Sequence, residues 1–369
     1  MSISQIEIQL IAMVTAAACA LPGVFLVLQR KAMLSDAISH TVLLGIVIGF
    51  FIVQDLSSPV LILGAAAVGV LTVTLVALVE RTQLVKEDAA IGLVFPALFA
   101  LAVILISLFA GDIHLDVDAV LLGEIAFAPF DRIVVFGSDI GPRGLYVMGG
   151  ILLINLIFIL AAYKELKLTT FDAALAASLG FSPVLLHYLL MGLVSVTVVG
   201  AFDIVGSVLV VALIVTPPAT ASLLTTRLDR LILISLGIGC ACAVGGYWSA
   251  YALDVSISGA MVVLAGLVFF MVFLFAPDTG MVAGMRRQGR QRRDFALTML
   301  TAHLLNHEHT PEAVFESRVE HLGEHMRWSP VFSQQVILEA AQRGLVQRQA
   351  DRLVLTDAGR QRASQEFTQ

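Results

Sequence analysis

Charged residues are scarce in this chain. Of its 369 residues only 14% are charged and 58% are hydrophobic, whereas an average soluble domain carries about 25% charged residues. So little charge argues against a soluble enzyme, because such a protein needs a polar surface. The composition indicates a polytopic membrane protein instead.

Cysteine and lysine are also rare. Cys19, Cys240 and Cys242 all lie in apolar runs, so they can build neither a disulfide scaffold nor a CxxC metal knuckle. The four lysines are followed by Ala32, Glu87, Glu165 and Leu168. A phosphate-binding P-loop needs Gly-Lys followed by Ser or Thr, so this sequence contains none.

Long apolar runs dominate the first three quarters of the chain. A helix needs about 20 apolar residues to cross the hydrocarbon core of a bilayer, and nine segments qualify. They are residues 8–28, 36–53, 60–79, 90–110, 144–163, 184–202, 204–224, 231–252 and 258–276. Only Asp203 separates the sixth segment from the seventh. Residues 119–128 are apolar enough for a short tenth element.

Arginine and lysine follow alternate spans. Basic residues come after the first, third, fifth, seventh and ninth segments, while the other connections hold only Arg132 and Arg143. By the positive-inside rule, this pattern predicts a multi-pass protein of the plasma or inner membrane. Its N-terminus is expected outside and its C-terminus in the cytoplasm.

The composition changes after residue 280. We predict a transmembrane domain over residues 1–280, a basic linker over 281–293 and a small cytoplasmic α+β domain over 294–369. Apolar spacing predicts helices at 295–306, 313–326 and 329–343, with Gly344 ending the third and a hairpin turn at 349–352. This is the element order of a winged helix, and residues 344–359 resemble the wing of repressors that sense iron and manganese.

Several motifs in the apolar part keep a characteristic order and spacing. They are residues 28–45 around Ser35-Asp36 and Ser39-His40, Glu87-Asp88-Ala89-Ala90-Ile91-Gly92, Leu121-Leu122-Gly123-Glu124-Ile125, Lys164-Glu165-Leu166-Lys167 with Thr170-Phe171-Asp172, and Pro217-Pro218-Ala219-Thr220-Ala221. With these motifs the chain resembles the zinc/manganese/iron ABC permease family over residues 8–276. The family pattern has one proline where this chain has two, at 217 and 218.

The resemblance implies an all-α polytopic membrane protein, similar to a type II ABC importer permease with about nine transmembrane helices. Its function would be ATP-driven import of Mn, Zn or Fe ions. It implies a separate ATPase subunit, a periplasmic or extracellular metal-binding protein, a second permease in a homodimer or heterodimer, and surrounding lipid. The chain itself is not expected to be an enzyme, and the metal is substrate rather than permanent cofactor.

Asp36 and His40 are candidates for the ion path. Their i, i+4 spacing places them on one face of a helix. Ionisable groups within a span are costly and usually line a water path or a site, and a carboxylate with an imidazole suits a first-row divalent cation. Alternatively, Asp36 is a charge favoured by the helix dipole and His40 bonds a neighbouring helix.

Other acidic residues could also attract cations. Asp203 and Glu124 are further ion-path candidates, or else a helix cap and a surface residue. The predicted outer loop alternates acidic residues and a histidine, at Asp112, His114, Asp116 and Asp118. Negative charge at a pore mouth raises the local concentration of cations. The alternative for this run is an ordinary solvated loop.

The predicted contact with the ATPase lies in a short segment, residues 170–180, which is expected in the cytoplasm; we call it the docking segment. Asp172 as N-cap and Gly180 at the C-terminal end favour a two-turn helix. In the family that the chain resembles, the corresponding segment, which includes Phe171, is the coupling helix that docks into the ATP-binding subunit. An inert loop is the alternative.

The predicted tail domain is acidic and rich in histidine. Residues 294–369 hold seven arginines, no lysine and ten acidic residues, a net charge of −3. Phosphate contacts need a basic face, so DNA binding is not expected and self-association is favoured. The i, i+4 spacing of His303 with His307 and of His321 with His325 suggests a regulatory metal site. The candidate ligands are His303, His307, His309, His321 and His325, and the alternative is a solvated helix surface.

The sequence is also compatible with two other functions. The chain could be a secondary cation transporter that needs no ATPase, or a membrane-tethered metal-sensing regulator. The predicted coupling segment argues against the first. The weakly basic third helix of the tail argues against the second.

Overall fold

The computed structural model describes residues 2–54, 58–109, 125–135 and 138–366. The chain divides into two compact units, Met1–Thr279 and Gly280–Gln369. Within the described residues, nine helices of the first unit are long and apolar enough to cross a membrane. The predicted number of spans is therefore confirmed.

The first unit is almost entirely helical. Its elements are α1 (Ile3–Leu28), α2 (Met33–Val53), α3 (Pro59–Arg81), α4 (Glu87–Phe109), a 3₁₀ turn (Ala128–Phe130), β1 (Arg132–Val135), β2 (Ser138–Pro142), α5 (Arg143–Ala161), α6 (Tyr163–Phe171), α7 (Ala173–Ser178), α8 (Pro183–Val205), α9 (Ser207–Leu224), α10 (Leu228–Leu253) and α11 (Ile257–Phe275). The spans are α1 to α5 and α8 to α11. The predicted tenth element lies mostly outside the described residues.

The boundary predicted at Asp203 is wrong. Helix α8 continues through Asp203 to Val205, and the break comes at Gly206, whose φ is 80° and ψ 161°. Glycine adopts a positive φ without the steric cost that a Cβ brings, so it can turn the chain directly from α8 into α9. Pro217 and Pro218 both lie inside α9, which runs on to Leu224.

Helix α1 is the central helix of the unit. It packs against α5, α8, α9 and α10 and is the most deeply buried of the spans described. Pro22 lies inside α1. Because proline has no N–H, it cannot donate to the carbonyl four residues earlier, that of Ala18. A carbonyl without a partner is costly inside a membrane, where no water can replace the donor.

Asn155 of α5 supplies the missing donor. Its Nδ2 donates to Ala18 O at 3.0 Å and to Thr197 Oγ1 of α8 at 2.9 Å. Asn155 is fully buried, and its Oδ1 has no hydrogen-bond partner among the described residues. The two N–H donors of the Asn155 amide are therefore both used, and they join α5 to α1 and to α8.

Helices α2 and α3 cross at glycines. A Cβ added to Gly64 would lie 2.7 Å from Gly45 O, so the two backbones touch where larger residues would separate them, as small residues allow in membrane helix pairs. One turn before Gly45, the buried hydroxyls of Thr41 and Thr72 are hydrogen-bonded at 2.8 Å. These contacts hold the start of α2 in a defined position against α3.

The second unit begins with a long helix. Its elements are α12 (Met281–His307), α13 (Ala313–Glu316), α14 (Val319–His325), α15 (Pro330–Gln342), β3 (Val346–Gln349), β4 (Arg352–Leu355) and α16 (Asp357–Glu366). The basic segment 281–293 is helical and continuous with residues 294–307. The helix predicted over 313–326 is split in two, because residues 317 and 318 leave the helix.

The core of the second unit lies among α12, α14, α15 and the β3–β4 hairpin. Leu297, Leu300, Leu322, Val336 and Leu353 are buried there. The helix predicted from Ser329 is confirmed, since the Ser329 hydroxyl accepts from Phe332 N, and Gly344 follows its end with a φ of 67°. Strands β3 and β4 pair antiparallel from Val346↔Leu355 to Gln349↔Arg352, at the predicted hairpin.

We predict that Asn155 and Pro22 are energetically coupled. Replacing Asn155 with Leu should lower the stability of the detergent-solubilised protein by about 1–3 kcal/mol, because Ala18 O is left without a donor. In a Pro22→Ala background the helix supplies its own N–H, so the same change should cost less. Unfolding free energies of the four proteins in this double-mutant cycle test the coupling. Equal costs of Asn155→Leu in both backgrounds would contradict it.

Candidate ion path, coupling segment and histidine cluster

Asp36 and His40 meet at the start of α2. His40 Nε2 lies 3.6 Å from Asp36 Oδ1, and the two side chains are 31% and 40% exposed. The predicted shared face is thus confirmed. The pair is neither sealed in the core nor fully solvated, so an ion could reach one carboxylate oxygen and one imidazole nitrogen together.

Aromatic residues of α4 hold the His40 ring. The ring stacks on Phe95 at a centroid distance of 5.7 Å and an interplanar angle of 28°, and it meets Phe99 edge-on at 6.0 Å. Ring packing limits the rotamers of His40 without using its nitrogens. The imidazole is therefore oriented and still free to bind on the side of Asp36.

The neighbouring serines do not join the pair. Ser35 and Ser39 are buried, and their hydroxyls donate within α2, to Ala32 O and Asp36 O, each at 2.7 Å. Such local bonds satisfy a hydroxyl inside a helix. The geometry leaves Asp36 and His40 as the ionisable part of this motif.

The structure does not bring Asp203 to this pair. A Cβ on Gly69 of α3 would contact both Ile38 and Ser195, so these two residues lie at one level of the bundle. Asp203 is eight residues beyond Ser195, which is about 12 Å further along α8 at 1.5 Å per residue. It is exposed there. Glu124 and the acidic-loop residues Asp112, His114, Asp116 and Asp118 lie outside the described residues.

An ion pair between the α1–α2 connection and α4 was not predicted. Lys31 Nζ lies 3.6 Å from Glu87 Oε1, with both side chains 28% exposed. The pair joins the α1–α2 connection to the start of α4. Its partners are far apart in sequence, and only the charged character of each motif could have suggested it.

The predicted caps of the short helix α7 are present. Asp172 Oδ1 accepts from Leu175 N at 2.9 Å, and Gly180, with a φ of 88°, follows the end of α7. Three apolar side chains of the segment point away from the unit: Phe171 is 61% exposed, Leu175 46% and Leu179 61%. Gln29 Nε2 donates to Thr170 Oγ1 at 3.4 Å, which ties the segment to the end of α1.

Four of the five candidate histidines of the second unit come together. His303 and His307 of α12 lie beside His321 and His325 of α14, and Glu316 of α13 lies between the two pairs. Sequence reasoning missed Glu316, because no local spacing relates it to His303. The fifth candidate, His309, is exposed and belongs to neither group of possible ligands in the described residues.

Burial and neighbouring charges shift the ionisation of this histidine cluster. Burial, as the largest cause, lowers the pKa of His303, although the Glu316 carbonyl acts in the opposite direction. For Glu316, burial acts to raise the pKa, but the hydrogen bond with His321 and the surrounding imidazoles together lower it. A neutral imidazole and an ionised carboxylate are both in the state that can ligate a metal.

Known proteins resemble this chain in sequence and in fold. The chain is 48% identical to the zinc transport system membrane protein TroD of Treponema pallidum over 354 residues, 96% of each chain. It is 46% identical to the manganese transport system membrane protein MntD of Bacillus subtilis, over 75% of this chain and 94% of that one. Among solved structures, PsaBC from Streptococcus pneumoniae in complex with Fab matches with a TM-score of 0.62 and 28% identity, over 74% of this chain and 92% of that one.

A family model also matches most of the first unit. The model of the ABC 3 transport family covers residues 5–276, a range that contains the Asp36–His40 pair and, except for the first two residues of α1, the nine apolar helices of the described residues. Together with the relatives, which share nearly half of their residues with this chain, the match assigns the fold and the family. The chain belongs to the ABC 3 transport family.

Proposed function

We propose that this multi-pass membrane permease imports a divalent transition metal ion, zinc, manganese or iron, with ATP hydrolysed on a separate subunit. The Asp36–His40 pair carries the proposal, because it offers an oxygen and a nitrogen ligand on a partly exposed face of a spanning helix. Two relatives are named for zinc and manganese transport, and these ligand types suit both ions.

The pair is suited to passing an ion on rather than keeping it. A closed zinc site has four protein ligands, whereas Asp36 and His40 provide two. Their exposure leaves water to complete the coordination of an ion, and water exchanges readily. A weak site of this kind lowers the cost of bringing a charge into the bundle and still releases it.

The docking segment, residues 170–180 with α7 at its centre, is the proposed docking site of the ATPase. Phe171, Leu175 and Leu179 are exposed on a segment too short to span a bilayer, so they do not belong to the lipid-facing side of a spanning helix. Exposed apolar side chains in a polar surrounding are typical of interaction sites. The bond from Gln29 to Thr170 offers a route from this segment to α1.

The remaining partners follow from this arrangement. The positive-inside pattern supports an external N-terminus and a cytoplasmic C-terminus. A metal-binding protein would then deliver the ion from outside, and a second permease copy or a related permease would complete the channel within the lipid. The separate docking segment favours this importer over a secondary transporter that works without an ATPase.

The second unit is proposed to be a winged-helix-like domain that associates with proteins rather than DNA. The segment at 317–319 pairs with β4, through Leu353 N to Ser317 O at 3.0 Å and Val319 N to Asp351 O at 3.1 Å, which resembles the third strand of a wing. Arg343, at the end of α15, is paired with Asp294 and Glu339 and is not available to phosphates. Because the TroD match covers 96% of this chain, it includes most of this unit.

Changing the ion pair tests the transport path. Asp36→Asn removes the charge and His40→Ala the nitrogen ligand, so each should reduce metal uptake by cells on the order of tenfold or more, since even outer-shell changes at metal sites cost that much. Asp278→Asn, the same change at an exposed loop residue, is the control. Normal uptake by both pair variants, at equal amounts of protein in the membrane, would contradict the proposal.

The docking segment gives a second test. The double variant Phe171→Ala and Asp172→Ala should reach the membrane but lose ATP-dependent transport, since it removes both an apolar contact and a helix cap. Asp172→Ser keeps the capping oxygen, and because serine caps nearly as well as aspartate it should retain most of the transport. Transport at the full rate by the double variant would show that the ATPase docks elsewhere.

A further inference from the structure

Three helices of the second unit converge on one carboxylate. Glu316 of α13 lies between His303 and His307 of α12 and His321 and His325 of α14. We propose that this histidine cluster binds one divalent transition metal ion, in a site separate from the Asp36–His40 path.

The spacing of the polar atoms suits a metal. Glu316 Oε2 lies 3.2 Å from His303 Nε2 and 3.0 Å from His321 Nε2. Ligand atoms of a tetrahedral zinc site lie about 3.3 Å apart, as follows from metal–ligand distances of about 2.0–2.1 Å. Glu316, His303 and His321 therefore need little movement to become three ligands of one ion.

His307 and His325 are candidates for the fourth ligand. The ligand atoms of His307 lie within 4.8 Å of those of His303 and Glu316, and those of His325 within 4.8 Å of Glu316 and His321. His307 Nδ1 is buried and has no hydrogen-bond partner among the described residues. A buried nitrogen without a partner is costly, and rotation of this ring toward an ion would satisfy one of its nitrogens.

The environment is that of a protected site. The side chains of His303 and Glu316 are only 7% and 13% exposed, and the ring of Phe315 packs on His321 at a centroid distance of 4.3 Å. Low exposure excludes competing water and strengthens electrostatic attraction to a cation. A hydrogen-bonded network without metal would explain the Glu316 contacts, but it leaves His307 Nδ1 without a partner.

The donor set predicts which ion binds. Imidazole suits zinc and iron, whereas manganese prefers carboxylate, carbonyl and water ligands. Several histidines around one carboxylate therefore favour Zn²⁺ and its spectroscopic substitute Co²⁺ over Mn²⁺. An ion held here would cross-link α12, α13 and α14 and stabilise the second unit, since metal that binds only the folded state raises its stability.

The test is a titration of the purified full-length chain in detergent with Co²⁺, whose visible absorption reports the geometry and type of its ligands. The wild type should bind one Co²⁺ per chain with the bands of a tetrahedral nitrogen and oxygen site. Zn²⁺ should displace the Co²⁺ and raise the unfolding temperature. Mn²⁺ should bind more weakly, by about tenfold or more, as the order of divalent affinities predicts.

Variants assign the signal to the cluster. Glu316→Gln keeps the shape of the side chain and one acceptor oxygen. This variant and, separately, the double variant His303→Ala and His321→Ala should each abolish the Co²⁺ bands and the zinc-dependent rise in unfolding temperature. His309→Ala, which changes an exposed histidine that belongs to neither group of possible ligands, should leave both readouts unchanged.

Two results would overturn the proposal. One is a wild type that binds neither Co²⁺ nor Zn²⁺, and the other is equal binding by the wild type and the cluster variants. Each variant is first compared with the wild type in metal-free unfolding, and Glu316→Gln, the most conservative of the changes, decides the assignment if the histidine double variant does not fold. Neither readout involves transport, so failure here leaves the proposed function standing, and the reverse also holds.

Discussion

Inside a membrane, a backbone carbonyl that loses its helical partner has no water to take its place, and Pro22 creates such a carbonyl in α1, the most buried of the described spans. The amide of Asn155 meets the need of Ala18 O and at the same time bonds Thr197. One polar side chain thus joins α1, α5 and α8. A similar demand arises in α9, where Pro218 cannot donate to Ile214 O and that carbonyl lies against Gly23, a residue with no side chain to intervene.

The proposed path of the ion also contains few polar groups. Gly45 and Gly64 let α2 and α3 touch, and nearer the start of α2 the ring of His40 stacks on Phe95 of α4. The pair is partly exposed, while the nearby hydroxyls are satisfied within the helix. On the proposed path an ion would therefore meet few fixed ligands. The histidine cluster of the second unit differs from the Asp36–His40 pair in two respects. The side chains of His303 and Glu316 are more buried, and the cluster offers more imidazole nitrogens.

Local patterns in the sequence predicted much of this structure. Apolar runs predicted nine spans, the i, i+4 spacing placed Asp36 beside His40, and Asp172, Ser329 and Gly344 marked helix ends correctly, because each signal acts within a few residues. The predicted break between α8 and α9 is three residues too early. The prediction uses the only charge between the two apolar runs, Asp203, whereas the chain turns at Gly206, where a positive φ is possible. The roles of Asn155, Glu87 and Glu316 depend on partners that only folding brings near, and no spacing within the sequence could reveal them.

Transport energised by ATP is the central claim, and reconstitution measures it directly. Proteoliposomes would contain this chain with its ATPase and its metal-binding protein, and accumulation of Mn²⁺ or Zn²⁺ would be followed with and without ATP on the side of the ATPase. The account predicts accumulation that requires hydrolysable ATP and stops when the ATPase is omitted. Equal uptake without ATP or ATPase, driven by a proton gradient, would contradict it and identify a secondary transporter.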